Sequence, residues 1–155
     1  MIKNATIDKI IIYADGACIP NPGTGGWAAI IITDTGEREI SDSEGNTTNN
    51  RMELMGIIRG LQMVRNPSSI SICSDSQYVT NAFNKKWIYR WKANNWMVKQ
   101  GKQRKNFDLW EKLLNLTQPH NIQWVWVRGH SGDIYNERCD KLAFSAITKK
   151  NKKTS

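Results

Sequence analysis

The chain has few cysteines and no long hydrophobic run, and both shortages narrow the class of protein. No apolar stretch approaches the roughly 20 residues that a membrane-spanning helix needs. The N-terminal residues MIKNATIDK contain no hydrophobic signal-peptide core, so we do not expect export. The cysteines, Cys18, Cys73 and Cys139, are odd in number and lack metal-ligand spacing. They predict reduced thiols in a reducing compartment, here the cytoplasm.

Acidic residues are also absent from the whole segment between Ser76 and Phe107, in a chain of formal net charge +8. Positive charge concentrated in this way is typical of a protein that binds a polyanion. A solvated helix face is the alternative interpretation, but the tryptophans between the charges favour nucleic acid. The basic residues of the segment are Lys85, Lys86, Arg90, Lys92, Lys99, Lys102, Arg104 and Lys105.

The length of 155 residues, without internal repeats, suits one domain with one hydrophobic core. We place this domain at residues 1–148 and predict a basic disordered tail at 149–155. Apolar periodicity and turn residues predict strands and helices that alternate after an initial three-stranded meander, which indicates an α/β mixed sheet covered by helices. The predicted strands cover residues 8–15, 26–34, 37–44, 69–75 and 121–128. The predicted helices begin near Asn49, Ser76, Lys85 and Asp108, with a last helix capped by Asn136.

Two glycines lie inside the helix that Thr48 or Asn49 is expected to cap. Gly56 and Gly60 follow Glu53 by three and seven residues, so all three share one helix face. Each glycine costs about 1 kcal/mol relative to alanine in a helix. Their presence predicts that this face approaches a sheet closely and holds Glu53 against it.

Two aspartates end strands on the side where α/β sheets bind ligands. Asp15 closes the run KIIIYAD and Asp75 closes SISICSD, while Asp140 lies one turn into the last helix. Together with Glu53 they would repel one another unless a cation is present. Magnesium prefers such oxygen ligands, and two ions about 4 Å apart can clamp a phosphodiester.

Each of these residues also has an ordinary structural explanation. An aspartate at a strand end often forms a turn. Glu53 could simply be an acidic residue in the first turn of a helix, where the helix dipole favours it. Asp140 could pair at the surface with Lys141 or Arg138. His130, between glycines in the polar loop RGHSGD, suits proton transfer better than a place in the core. Spacing alone does not decide between these alternatives.

Several motifs, in this order, resemble the type 1 ribonuclease H family of bacteria, ribonuclease HI. They are YADGACIPNPGTGGWA, TTNNRMELMGII, SDSQYV, KKWIYRWKANNW and WVRGHSGDIYNERCDKLA. The resemblance covers residues 8–147. It implies a five-stranded mixed sheet of order 3-2-1-4-5 flanked by helices, with a basic helix-loop protrusion. It also implies a monomeric endonuclease that hydrolyses the RNA strand of RNA–DNA hybrids by a two-metal-ion mechanism, leaving 5′-phosphate and 3′-hydroxyl ends.

The resemblance assigns roles to individual residues. Two Mg²⁺ ions, for which Mn²⁺ could substitute, are expected on Asp15, Glu53, Asp75 and Asp140, and His130 is expected to assist proton transfer or product release. A DNA-strand phosphate is expected at Thr48 and Asn106. The other expected contacts to the hybrid are Gly16, Cys18, Asn21, Asn49, Asn50, Gln77, Lys85, Lys86 and Trp87. Trp91 and Trp96 are expected to hold the protrusion together as a small core of its own.

Three rival functions stay open at this stage. An integrase-like or resolvase-like nuclease would share the sheet but lack the basic tryptophan segment. A hybrid-binding module without catalysis would be expected to have lost a carboxylate, whereas all four are present. A nucleotide-binding domain built on NPGTGG would need the lysine of a phosphate-binding P-loop, which this turn lacks.

Overall fold

The computed structural model of the chain describes residues 8–99 and 101–154. These residues form a five-stranded sheet, a two-stranded hairpin and five helices. Residues 1–7 of the predicted domain lie outside the described part. In chain order the elements are β1 (Asp8–Ile19), β2 (Gly23–Thr33), β3 (Gly36–Thr47), α1 (Asn49–Gln62), β4 (Ser68–Ser74), α2 (Gln77–Asn84), α3 (Trp87–Ala93), β5 (Met97–Lys99), β6 (Lys102–Gln103), α4 (Phe107–Thr117), β7 (Asn121–Trp126) and α5 (Ile134–Thr154).

The large sheet has the order β3-β2-β1-β4-β7. The first three strands pair antiparallel as a meander, whereas β4 pairs parallel with both β1 and β7. Parallel neighbours need crossover connections, and α1 and the α2–α4 segment supply them. Since β7 is the fifth strand of this sheet along the chain, the predicted mixed sheet of order 3-2-1-4-5 is confirmed.

Helix α1 packs closely against the sheet because two of its residues have no side chain. The Thr48 hydroxyl caps the helix by accepting the Arg51 N–H at 3.3 Å. A β-carbon on Gly56 would lie 2.9 Å from the Ala28 carbonyl oxygen and 3.0 Å from that of Asp15. The predicted close approach of this helix face is therefore confirmed, and it sets Glu53 beside β1.

Hydrophobic residues pack on both faces of the sheet. The larger cluster joins α1, α2 and α4 to β1 and β4, and the smaller one packs α5 residues Cys139 and Ala143 on β2. Trp96 is buried in the larger cluster, and Trp91 packs against it. These two tryptophans therefore join the main core, whereas the sequence analysis expected a small separate one.

The ends of several elements differ from the prediction. Strands β1 and β2 continue into the glycine-rich turn, because Cys18 pairs with Gly25 and Ile19 with Thr24. Helix α5 begins at Ile134, so Asn136 is not its cap; instead the Asp133 carboxylate accepts the Asn136 N–H at 3.0 Å.

The segment expected to be a disordered tail continues α5 as far as Thr154, while residue 155 lies outside the described part. It contains no glycine or proline that would end the helix. Lysines are good helix formers, and they favour the negative end of the helix dipole.

Candidate active site

Asp15 and Glu53 meet at the point where α1 crosses β1, four residues before that strand ends at Ile19. Both side chains are buried, with 4% and 5% of their surface exposed. The Gly16 N–H donates to Asp15 Oδ1 at 2.9 Å and to Glu53 Oε1 at 3.2 Å. A β-carbon on Gly16 would lie 2.4 Å from the Glu53 nitrogen. Glycine at this position therefore allows two carboxyl groups from distant parts of the chain to share one backbone donor.

Asp75 is the third carboxylate of the site. It follows β4 directly and is half-buried. Ligand oxygens of Asp15, Glu53 and Asp75, one from each, all lie within 4.8 Å of one another. Strands β1 and β4 pair in parallel as far as Tyr13 and Cys73, two residues before Asp15 and Asp75, which brings these two aspartates together as the sequence predicts. Only Asp75 follows the end of its strand, because β1 continues to Ile19.

Burial and mutual repulsion make the ionised forms of these groups costly. Burial raises the pKa of Asp15 to about 7, opposed by the side chain of Glu53, and the charge of Asp75 raises it further. Burial, the charge of Asp15 and a hydrogen bond with it raise the pKa of Glu53 well above its usual value. The pKa of Asp75 is also raised, first by burial. All three carboxyl groups therefore hold their protons more tightly than they would in water.

This arrangement suits a hard divalent cation. Glu53 Oε2 is buried, and no hydrogen-bond donor reaches it within the described part of the chain. A buried oxygen without a partner carries a free-energy cost that a bound cation would remove. The three carboxylates offer the oxygen ligands that Mg²⁺ prefers, and the part-exposed side of Asp75 gives access to solvent.

Asp140 lies near this cluster but outside its closest group. It is half-buried on α5, and its charge raises the pKa of both Asp15 and Asp75. It does not belong to the group of oxygens within 4.8 Å. Arg138, one of its suggested surface partners, pairs instead with Glu37 and Glu39. The structure thus brings three of the four predicted carboxylates into direct proximity and places the fourth beside them.

The loop between β7 and α5 passes over Asp75. A β-carbon on Gly129 would lie 3.1 Å from Asp75 Oδ2. His130 is exposed, has a left-handed backbone with φ of 55°, and helps to lower the pKa of Asp75. It therefore lies near the carboxylates, and its role in proton transfer stays a prediction.

Asn136 is a neighbour of Asp75 that sequence reasoning did not assign to the site. Its side chain is buried, and its interaction with Asp75 lowers the pKa of that carboxyl group. The signal in the sequence was its spacing of four residues before Asp140, which places both on one face of α5. From the sequence, this asparagine is predicted only as a helix cap.

The residues predicted to contact substrate in and beside the glycine-rich turn differ in whether their side chains are exposed. Asn21 is exposed, and its side-chain oxygen accepts the Asn49 N–H at 3.1 Å, which ties the turn to the start of α1. Asn50 is exposed beside it. The Cys18 thiol is buried and donates to the carbonyl oxygens of Pro20 and Thr47. The Cys18 side chain is therefore not free to contact a ligand.

Arg51 joins the two residues predicted to bind a DNA phosphate. Its backbone N–H donates to Thr48, and its guanidinium donates to Asn106 at 3.3 Å and forms two bonds to Asp108. Asn106 also donates to the Tyr78 hydroxyl at 3.1 Å. The sequence analysis did not identify Arg51, although an arginine three residues after a helix cap is a visible signal.

The remaining predicted contacts lie on α2 and on the basic segment, residues 85–105. Gln77 is exposed in the first turn of α2. Lys85 and Lys86 are exposed, and the Lys85 ammonium lies 5.3 Å from the centre of the half-buried Trp87 ring. Residue 100 of the segment lies outside the described part of the chain.

Comparisons with known proteins identify close relatives. The sequence model of the family described as RNase H matches residues 8–148. A ribonuclease H of Acetivibrio thermocellus is 47% identical over 145 residues, covering 94% of this chain and 99% of the relative. A ribonuclease H of Thiobacillus denitrificans is 49% identical over 142 residues, covering 92% and 95%.

Solved structures agree with this result. The crystal structure of LC9-RNase H1, a type 1 RNase H with the type 2 active-site motif, superposes with a TM-score of 0.84. It is 27% identical in sequence, and the match covers 95% of this chain and 75% of that one. LC11-RNase H1 in complex with an RNA/DNA hybrid superposes with a TM-score of 0.69 at 22% identity, covering 91% and 98%, and shares the fold.

Across residues 8–99 and 101–154, no helix combines the length and the apolar character that a membrane-spanning helix needs.

Proposed function

The chain belongs to the ribonuclease H family, and from this premise we propose that it hydrolyses the RNA strand of RNA–DNA hybrids. We propose a two-metal-ion reaction that leaves 5′-phosphate and 3′-hydroxyl ends. The observation that carries this proposal is the convergence of oxygens from Asp15, Glu53 and Asp75 to within 4.8 Å. Such a cluster of buried carboxylates is costly without cations and useful with them.

Asp15, Glu53, Asp75 and Asp140 would hold the ions, with Mg²⁺ as the preferred metal and Mn²⁺ as a substitute. Two ions bound there would activate water for attack on the phosphorus and stabilise the leaving 3′-oxygen. The protein contributes the positions of the ligands. The Gly16 N–H orients one oxygen each of Asp15 and Glu53, which leaves their other oxygens available.

His130 is proposed to move protons at the edge of the site. Its exposed imidazole lies near Asp75 on the loop between β7 and α5, which also contains Gly129 and Gly132. An imidazole exchanges protons near neutral pH, so it can accept a proton from the attacking water or aid departure of the cleaved phosphate.

The hybrid is proposed to lie across the surface next to the carboxylates, where Asn21, Asn50 and Gln77 are exposed. Gly16, the Cys18 backbone, Asn21, Asn49, Asn50 and Gln77 would face its minor groove, where 2′-hydroxyl groups distinguish RNA. The pocket of Thr48 and Asn106 would take a DNA phosphate, and Lys85, Lys86 and Trp87 would follow the DNA strand. LC11-RNase H1, which shares the fold, was solved with an RNA/DNA hybrid. We propose a cytoplasmic enzyme that acts as a monomer.

The test is cleavage of end-labelled RNA–DNA, RNA–RNA and DNA–DNA duplexes with and without Mg²⁺. We expect cleavage of the RNA strand of the hybrid alone, and only with the metal. Asp15→Asn is expected to abolish cleavage and to leave hybrid binding largely intact. Asp34→Asn, an exposed charge change in the β2–β3 turn, is the matched control and should cleave normally.

Two results would contradict the proposal. Unchanged turnover by Asp15→Asn would remove this carboxylate from the site. Hybrid binding without any cleavage by the unaltered protein would favour the alternative of a binding module.

A further inference from the structure

A group of four side chains ties the start of α5 to the edge strand β3. We call Glu37, Glu39, Tyr135 and Arg138 the α5 brace. The Arg138 guanidinium donates to Glu37 at 2.9 Å and to Glu39 at 2.5 Å, and the Tyr135 hydroxyl donates to Glu37. The same guanidinium lies 5.3 Å from the centre of the Tyr135 ring. The four side chains thus form one connected network.

The α5 brace continues into the sheet through Tyr13. The rings of Tyr135 and Tyr13 stack with centres 5.2 Å apart. The Cys139 thiol donates to the Tyr13 carbonyl oxygen at 3.4 Å, one turn further along α5. The first turns of α5 are therefore held by β1, two residues before Asp15, as well as by β3.

The residues next to the α5 brace belong to the candidate active site. Asn136 and Asp140 lie on α5 beside Tyr135 and Arg138, and their side chains interact with Asp75. Asp140 lies outside the group of three oxygens within 4.8 Å. Unlike Asp15, it is not placed by a strand in the middle of the sheet. Its distance from the other carboxylates therefore depends on how α5 is seated.

We propose that Tyr135 and Arg138 are positioning residues that seat the first turns of α5, and with them Asp140, beside Asp15 and Asp75. This inference rests on the proposed function, because it assumes that the carboxylates bind divalent cations. It adds residues that touch neither the cation nor the hybrid. Their action passes through the helix backbone to Asp140.

The size of the effect follows from the exposure of the charges. About a third of the side-chain surface of Arg138 and Glu37 is exposed, at 35% and 37%. Single ion pairs at such sites are weak, whereas connected networks contribute more. We therefore expect removal of the arginine charge to weaken cation binding about three- to tenfold, without unfolding the protein.

The experiment compares Arg138→Gln with Arg38→Gln. Arg38 lies between Glu37 and Glu39 on β3 and is exposed, so its loss changes the net charge equally without touching the α5 brace. Mg²⁺ and Mn²⁺ binding is measured by calorimetry on the metal-free proteins, and hybrid binding is measured without divalent cations. Tyr135→Phe keeps the ring stack and removes one hydrogen bond, so it gives a milder variant that should fold if Arg138→Gln does not.

We expect weaker cation binding for Arg138→Gln, a smaller loss for Tyr135→Phe and no change for Arg38→Gln. Hybrid binding without cations should stay within about twofold for all three, because no brace residue meets the hybrid. In an Asp140→Asn background the effect of Arg138→Gln should disappear, since the group that it positions is already altered. A general loss of packing would persist in that background.

Two outcomes would overturn the inference. The first is that Arg138→Gln binds the cation as tightly as Arg38→Gln does. The second is that Arg138→Gln weakens cation binding as much in the Asp140→Asn background as in the unaltered protein. Failure of the unaltered protein to cleave hybrids would instead refute the proposed function. The calorimetric comparison would still decide the role of the α5 brace, because it needs no turnover.

Discussion

Asp15 lies in the candidate active site, and its buried carboxylate lowers the stability of the metal-free protein when it is ionised. Its pKa is raised from 3.8 to about 7 by burial and by neighbouring charge. The folded protein therefore holds this proton more tightly than the unfolded chain does. Without metal, stability falls as the pH rises from about 4 to 7, and the full cost remains above pH 7.

Asp15→Asn should therefore stabilise the metal-free protein at about pH 8 and have little effect near pH 4. A pKa raised from 3.8 to about 7 corresponds to at most about 4 kcal/mol. The asparagine amide cannot make all of the hydrogen bonds that the carboxylate accepts. We therefore expect the free energy of unfolding to rise by about 1–3 kcal/mol. Chemical denaturation at both pH values with a chelator present measures this difference.

The control is again Asp34→Asn, and saturating Mg²⁺ should reduce the gain because the metal stabilises only the unaltered site. A loss of stability by Asp15→Asn at about pH 8 would mean that the carboxylate is stabilising without metal. That result would contradict the electrostatic description of the site.

At the residue scale, the sequence predicts which side chains lie near the site better than it predicts where each side chain points. Asp15 and Asp75 each follow an apolar run that is visible in the sequence, and their proximity follows from parallel pairing, although β1 continues past Asp15 to Ile19. Which way Cys18 points depends on Pro20 and Thr47, whose carbonyl oxygens accept its thiol. Asn136 was assigned to a cap because local sequence does not show that Asp75 lies against it.

At the scale of elements, the contact between α1 and β1 determines where Glu53 lies. A methyl group at residue 56 would meet two carbonyl oxygens, at 2.9 Å and 3.0 Å. Backbone atoms on a central strand cannot move aside cheaply, so the helix must shift. Such a shift would carry Glu53 away from Asp15.

Gly56→Ala should therefore lower stability and weaken cation binding together, despite the better helix propensity of alanine. We expect a loss of about 1–3 kcal/mol, as for other overpacked sites. Gly45→Ala is the control, because its methyl group would meet only the Lys150 side chain, at 3.6 Å. Denaturant unfolding and calorimetric Mg²⁺ titration give the two readouts, and normal values in both would show that the close contact is dispensable.

The elements themselves were largely predictable, and their ends were not. Isoleucine-rich runs and the glycine positions of α1 indicate a strand meander followed by a helix that packs closely. The extension of β1 to Ile19 and of β2 from Gly23 was missed, because glycine and proline usually mark a turn. Here pairing between Cys18 and Gly25 outweighs that local preference.

At the scale of the whole molecule, positive and negative charges occupy different places. Asp15, Glu53 and Asp75 gather where the parallel pairing of β1 with β4 ends, while the basic segment follows α2 and contains no acidic residue. A duplex bound by such a protein would contact the basic segment through its phosphates, while the bond to be cleaved would lie at the carboxylates. Phosphate contacts of this kind release counterions, so binding weakens with salt.

Neutralising Lys85, Lys86, Lys99 and Lys105 to glutamine should weaken hybrid binding and flatten its dependence on salt. All four side chains are exposed, so the fold should tolerate the change. If each contacts a phosphate, the slope of log K against log salt should fall by up to about 3–4. Fluorescence anisotropy of a labelled hybrid, over a range of salt concentrations with metal absent, measures it.

The matched control neutralises four exposed basic residues elsewhere, Arg38, Arg65, Lys112 and Lys149. It removes the same net charge, so any long-range effect of total charge appears in both proteins. Only the first variant should change the slope, because a short-range phosphate contact depends on where a lysine lies. Equal slopes in the two variants would show that the basic segment acts only through net charge, and that the DNA strand takes another path across the surface.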